Sequence, residues 1–312
     1  MSIAVAILIG SLVVIAAIAF FLASQWTPDR PVEALAPRWA GPRSRFIALD
    51  GMQVHLRDEG VRDDPAPLVL LHGTGSSLHT WQGWADRLAS TRRLIRFDRP
   101  GFALTGPNPN GDYSMAYYVG FLDRLLDALG IDRCVVVGNS SGGRMAWEYA
   151  AAKPGRVHSL VLLAPAGYPR TTPLPSGLRV AMSPLGPILL HLVPKSAVRK
   201  GLEGNYGDPA RVSDASVDAS YDLMMRRGVR KALGETLRQA EAKDNSALIP
   251  QIKSPALIIW GDQDTVIPPA AAERFHSDLR GSRLVILPGV GHLAQEEEPE
   301  MTVAAFRDFA SR

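Results

Sequence analysis

Cys134-Val135-Val136-Val137-Gly138-Asn139-Ser140-Ser141-Gly142-Gly143 runs from a short β-branched apolar segment, through G-x-S-x-G, into a helix-like stretch over Gly142–Lys153. Four apolar residues in succession are hydrophobic on both faces, as a strand covered by helices above and below requires. The strand–turn–helix context is what a nucleophile elbow needs: a sharp, strained turn that lifts a serine Oγ above the sheet edge. Gly138 and Gly142, two positions either side of Ser140, let the helix pass close to the strand. Ser141 competes for the nucleophile's place, but two residues before it stands the bulkier Asn139. The spacing therefore favours Ser140.

Outward from this run the same pattern repeats. Short apolar runs at Leu68–Leu71, Leu94–Phe97, Leu160–Ala164, Ala256–Trp260 and Leu284–Leu287 alternate with helical stretches such as Ala116–Leu129 and Ala270–Leu279. Upstream, Arg45–Leu49 and Met52–Leu56 flank Asp50-Gly51, the signature of a β-hairpin. The alternation predicts an α/β chain with a doubly wound, mostly parallel sheet led by an antiparallel hairpin. Core segments are expected over 45–167 and 245–312. Between them, Tyr168 to Asp244 is far too long for a βα loop and predicts a helical cap insertion.

Two further elements complete a constellation. Leu257-Ile258-Ile259-Trp260-Gly261-Asp262-Gln263-Asp264 ends a strand in a turn with two carboxylates, and Val290-Gly291-His292 follows the last strand. A serine hydroxyl is a poor nucleophile until a base takes its proton, and imidazole titrates near neutrality. A carboxylate fixes the imidazole's tautomer and steadies the imidazolium that forms. Asp264, three residues past Gly261, is the expected acid, with Asp262 a turn residue. The glycine-flanked loop Leu71-His72-Gly73-Thr74-Gly75 is expected to supply an oxyanion donor at Thr74 N–H, beside the N–H of Ser141. His72 reads as a brace for that loop. Asp98, in Phe97-Asp98-Arg99-Pro100-Gly101-Phe102, precedes the nucleophile in the chain and reads as structural.

The N-terminus differs in character. Ile3 to Ala23 carries no charge and predicts a transmembrane helix, about 20 apolar residues being enough to span a bilayer. A single-pass membrane location follows. Arg30, Arg38 and Arg43 after the segment place the catalytic domain on the cytoplasmic side by the positive-inside rule. Residues 24–44, rich in Pro and Arg, read as a linker with too few apolar residues to pack. The 312 residues are 46% hydrophobic with a net charge of +3, and no basic run supports nucleic-acid binding. Lone Cys134 excludes an internal disulfide and a cysteine-based zinc cluster.

Taken together, H-G-T-G, D-R-P-G-F, G-N-S-S-G-G, G-D-Q-D and G-H-L-A-Q-E-E-E-P-E resemble the successive motifs of the α/β-hydrolase superfamily, in its capped serine-hydrolase branch, from about Arg45 to Ala310. The order Ser, Asp, His is that family's triad order. The resemblance implies no cofactor and no metal. Ser140 stands where dehalogenases and epoxide hydrolases of the family carry Asp, which argues against both. The leading expectation is a carboxylic ester hydrolase working through an acyl-Ser140 intermediate. A C–C bond hydrolase is the alternative, and thioesters and lactones suit the same machinery. Leu293 follows His292 where C–C hydrolases commonly have Trp. The apolar cap segment predicts Leu185 and Leu189 as substrate-binding residues for an amphiphilic, lipid-like ester.

Overall fold

The computed structural model describes residues 3–170, 173–241 and 244–311, without the side chains at 4, 6, 8, 10, 18, 19 and 241. The chain opens with helices α1 (Ile3–Gln25) and α2 (Val32–Trp39), then strands β1 (Ser44–Leu49), β2 (Met52–Gly60) and β3 (Leu68–Leu71). Next come α3 (Gln82–Leu88), β4 (Arg93–Phe97), α4 (Met115–Ala128), β5 (Cys134–Asn139), α5 (Ser141–Ala152) and β6 (Val157–Leu163). An insertion holds α6 (Ser176–Met182), α7 (Gly186–Leu189), α8 (Lys195–Glu203), α9 (Asp214–Met224) and α10 (Val229–Glu241). The chain then finishes with β7 (Ala256–Gly261), α11 (Ala270–Asp278), β8 (Arg283–Leu287), α12 (Ala294–Glu297) and α13 (Pro299–Ala310).

Eight strands form one sheet in the order β1-β2-β4-β3-β5-β6-β7-β8. β2 pairs antiparallel with β1 and β4, and every other pairing is parallel. The hairpin turns at Asp50 and Gly51, both left-handed (φ 51° and 76°), as a two-residue turn matching strand twist requires. β5 lies mid-sheet between β3 and β6, and its alternating side chains feed two separate cores. Cys134 and Val136 join the layer containing Leu122, Leu125, Met145 and Tyr149. Val135 and Val137 join the layer of Trp84, Leu88, Val303 and Phe306. Burying each such Val contributes about 1.5–3 kcal/mol, which anchors the strand that carries the elbow.

The insertion between β6 and β7 packs against loops at the carboxyl ends of the strands. His292 N–H donates to Asn205 O (2.7 Å), and Arg144 Nη1 on α5 donates to Ala240 O (2.7 Å). Both contacts bring the insertion over the end of the sheet where Ser140 sits.

Two expectations for the N-terminus require correction. Among the described residues no helix is long and apolar enough to cross a membrane, which overturns the transmembrane anchor, the single-pass membrane location and the sidedness derived from it. A span needs about 20 consecutive apolar residues. The run behind that expectation, Ile3 to Ala23, includes six side chains of α1 that lie outside the described set. Residues 24–44 are also not a free linker. Thr27 N–H donates to His191 O, Arg30 N–H to Met225 O, and Arg227 N–H returns to Arg30 O (2.7–2.8 Å). Trp26 stacks on His191, with ring centroids 4.2 Å apart. Arg230 Nη1 donates to Asp29 Oδ1, and Arg38 Nη1 to Asp222 Oδ2 (both 2.8 Å). The segment docks on the insertion through charge pairs and main-chain bonds, so its scarcity of apolar residues did not prevent packing.

Candidate active site

The turn after β5 holds Ser140 at φ 55°, ψ −122°, a left-handed conformation that a non-glycine residue adopts only under strain. The surroundings impose it. Ser140 N–H donates to Leu163 O on β6 (3.1 Å), while Ser140 O accepts from Arg144 N–H (3.0 Å) and Ala166 N–H (2.9 Å). α5 can begin directly under the turn because Gly138 and Gly142 lack side chains. A Cβ on Gly138 would meet Gly142 O at 2.4 Å, and one on Gly142 would meet Leu71 O at 2.3 Å.

Asp264 and His292 meet as a buried pair. His292 Nδ1 lies 2.7 Å from Asp264 Oδ2, and the other carboxylate oxygen accepts from Val266 N–H (2.8 Å) and Ile267 N–H (2.9 Å). A carboxylate only accepts, so Nδ1 carries the proton and Nε2 keeps its lone pair for a serine. Asp262 is elsewhere: it is exposed and accepts from Gly289 N–H (2.7 Å), bracing the turn before His292. Asn139, next to Ser140, ties the two halves together, since its Nδ2 donates to His292 O (3.0 Å) and Leu163 O (3.1 Å).

The loop after β3 runs over the elbow. A Cβ on Gly73 would sit 3.2 Å from Ser140 Cβ, and Thr74 Oγ1 donates to Ser141 Oγ (2.9 Å). Thr74 and Ser141 thus stand side by side next to Ser140. His72 is fully buried, and burial, with the Arg99 charge adding to it, pulls its pKa down to about 3. It is neutral: Nδ1–H donates to Gly73 O (2.8 Å), and Nε2 accepts from Arg99 N–H (3.0 Å). This histidine fixes the loop and has no proton to exchange near neutral pH.

A second Ser-His-Asp chain runs through the molecule and has a different character. His55 joins Asp98 Oδ2 (2.7 Å) to Ser44 Oγ (2.8 Å). Ser44 lies in regular strand, takes a bond from Arg57 Nε (3.2 Å) and donates to Ala40 O. Asp98 is saturated by Leu78 N–H (2.8 Å) and Leu104 N–H (3.1 Å). Burial pushes the Asp98 pKa up, but the His55 charge and hydrogen bond outweigh it, leaving about 2. Ser44 has neither strained turn nor glycine-lined approach, so this chain is a structural brace.

A family model described as the alpha/beta hydrolase family matches residues 68–305. The chain belongs to the alpha/beta hydrolase family. A 2-hydroxy-6-oxo-2,4-heptadienoate hydrolase of Pseudomonas putida is 30% identical over 275 residues, covering 85% of this chain and 95% of the relative. A 2-hydroxymuconate semialdehyde hydrolase of Pseudomonas putida is 29% identical over 282 residues, 88% of this chain and 96% of that one. Among solved structures, a meta-cleavage product hydrolase from Pseudomonas fluorescens superposes with a TM-score of 0.74 at 22% identity, over 86% of this chain and 97% of that one. The last comparison concerns fold alone.

Within this alpha/beta hydrolase, Leu185 and Leu189 are not sealed over the elbow; they stand 60% and 38% exposed on the insertion. Three polar residues escaped the sequence reading. Glu297 on α12 accepts from Gly291 N–H (2.8 Å), Gly207 N–H (3.0 Å) and Asp208 N–H (2.9 Å), clamping the His292 loop to the insertion. Asn139 bridges elbow and histidine, and Arg99 reaches Ser141. All three fall inside the motifs that carried the resemblance, so those motifs were the available signal. Among the described residues no group of three or more His, Cys, Asp or Glu is placed to hold a metal ion.

Proposed function

We propose that this protein is a serine-dependent hydrolase that cleaves a C–C bond beside a ketone, with Ser140 as nucleophile, His292 as base and Asp264 orienting it. The observation that supports this most is the buried Asp264–His292 pair, its Nε2 without a hydrogen bond among the described residues, tied through Asn139 to a strained Ser140. Two relatives named as hydrolases of dienoic oxo-compounds, matched over most of both chains, direct the choice of substrate.

In the proposed cycle Ser140 Oγ attacks the ketone carbon as His292 Nε2 takes the hydroxyl proton. The carbonyl oxygen becomes an oxyanion facing Thr74 N–H and Ser141 N–H. Collapse of this intermediate breaks the adjacent C–C bond. In a 2-hydroxy-dienoic ketone this requires that the 2-hydroxyl first give up its proton and the carbon beside the ketone gain one, so that this carbon leaves as an enolate delocalised onto the new 2-oxo group and then receives the proton from imidazolium. Water, deprotonated by the same imidazole, then hydrolyses the acyl-Ser140 ester and releases a carboxylic acid. Preorganised donors aimed at the oxyanion supply most of the acceleration expected of such a site.

A carboxylic ester is the second reading, favoured by Leu293 where C–C hydrolases commonly have Trp. Ester cleavage needs the same first step and only a different leaving group. On that reading the exposed Leu185 and Leu189 meet the acyl chain. Purified enzyme offered 2-hydroxy-6-oxo-2,4-heptadienoate and p-nitrophenyl butyrate separates the two. A kcat/KM at least tenfold higher on the dienoic ketone supports C–C hydrolysis. The reverse ratio assigns the enzyme to esters.

A further inference from the structure

Arg99 is fully buried (0% exposed), and its guanidinium faces no carboxylate among the described residues. Nη2 donates to Ser141 Oγ (2.9 Å), whereas Nε and Nη1 have no hydrogen-bond partner among the described residues. The rings of Phe102 and Tyr118 lie 5.1 and 5.2 Å from its central carbon. Arg96, three residues earlier and equally buried, shows what this fold does with a structural arginine. Its Nε meets Glu59 Oε2 (2.8 Å), Nη2 meets Gln82 Oε1 (2.9 Å) and Nη1 meets Leu78 O (3.4 Å). A buried cation without an anion is costly, and aromatic faces offset only part of that cost.

What Arg99 touches indicates why the charge is kept. Ser141 is the residue after the candidate nucleophile, and its backbone N–H is one of the two proposed oxyanion donors. Ser141 Oγ accepts twice, from Arg99 Nη2 and from Thr74 Oγ1, both at 2.9 Å. With both lone pairs engaged, the Ser141 hydroxyl proton can only be donated. Thr74, the other proposed backbone donor, is fixed by the same contact. One cation therefore polarises the two residues that flank the position of a developing negative charge.

We propose that Arg99 is a positioning residue behind the oxyanion hole: through Ser141 Oγ it holds Ser141 and Thr74 in place, and its unpaired charge steadies the tetrahedral oxyanion. The negative charge that completes the ion pair forms only in the transition state, which is when such a charge accelerates reaction. The inference rests on Ser140 as nucleophile.

Its test compares Arg99→Met, Arg99→Lys, Ser141→Ala and the Arg99→Met/Ser141→Ala double variant, on whichever substrate the wild type turns over. Removing a direct oxyanion donor typically costs about 10²–10³ in kcat, and Arg99 acts one side chain further back. The expected loss for Arg99→Met is roughly 10- to 100-fold in kcat with KM within about threefold, because ground-state binding is untouched. Arg99→Lys should recover at least about a third of that loss on a logarithmic scale, and the double variant should fall no more than about twofold below Arg99→Met. If Arg99→Met does not fold, Ser141→Ala and Arg99→Lys carry the test, with Ser141→Ala losing at least about fivefold in kcat at unchanged KM. Wild-type kcat in Arg99→Met, or in Ser141→Ala where that variant stands in, overturns the inference. So does Arg99→Lys no better than Arg99→Met, which would leave only a packing role. Undiminished turnover by Ser140→Ala would instead overturn the nucleophile assignment on which it rests.

Discussion

Replacing Gly142 with Ala adds one methyl group at the point where α5 passes beneath the loop after β3. That methyl would lie 2.3 Å from Leu71 O and 2.5 Å from His72 O, both main-chain atoms. A relaxed carbon–oxygen contact is about 3.3 Å, so the two segments must part by about 1 Å. α5 cannot yield towards β5, where Gly138 already sits directly against Gly142 O. The displacement therefore falls on the 71–74 loop and draws Thr74 away from Ser141. Overpacking of this kind costs about 1–3 kcal/mol, and a misplacement of about 1 Å at a reacting centre costs on the order of 10² in rate. We expect kcat to fall by roughly 10²-fold while the melting temperature drops by only about 2–10 °C. Gly177→Ala in α6, where an added Cβ meets nothing within 4 Å, is the matched control and should leave both unchanged. Steady-state kinetics at 20 °C and thermal unfolding of the three proteins check this. A Gly142→Ala enzyme with wild-type kcat would refute the claim that this close approach sets the oxyanion geometry.

Asp264→Asn should lower kcat by on the order of 10⁴, because the amide favours the wrong imidazole tautomer and cannot steady its charge, and Asp262→Asn should cost less than about tenfold. Equal losses at the two positions, measured by steady-state kinetics, would contradict the assignment of the acid. Acid should also weaken the fold from about pH 6.5 downward, through two histidines. Burial holds His72 down to about 3 and His79 down to about 4, so between there and pH 6.5 the unfolded chain binds protons that the folded chain refuses. Their contribution is complete above pH 6.5 and is lost as pH falls, with a slope reaching about 2.7 kcal/mol per pH unit for two protons. Urea denaturation at pH 7, 6 and 5 measures this, and equal stability at all three is incompatible with two histidines that the fold holds neutral.

The parallel strands were legible because each is short, largely apolar and bounded by turn residues. Leu68–Leu71 is found as a strand with the bounds its sequence suggests, and Cys134–Val137 extends only to Asn139. The Asp50-Gly51 turn was legible for a similarly local reason, since few residues accept two left-handed conformations in succession. Pairing between distant charges leaves no such local trace. Nothing in residues 24–44 reveals that Asp222 and Arg230 lie some two hundred positions ahead to receive Arg38 and Asp29. The same limit hid Arg99, whose distinction is that it has no carboxylate partner among the described residues, and Glu297, whose three donors come from two separate segments. The N-terminal reading rested on composition and length alone, and the amphiphilic-substrate reading on cap residues of which Leu185 and Leu189 prove exposed.

The central claim is that the strained serine after β5 is the nucleophile. Intact-protein mass spectrometry after treatment with a fluorophosphonate, followed by peptide mapping, tests it most directly. One adduct per chain is predicted, located on Ser140, absent from Ser140→Ala and retained by Ser44→Ala. An adduct on Ser141 or Ser44, or a folded and active wild type that takes up no label, would contradict the account.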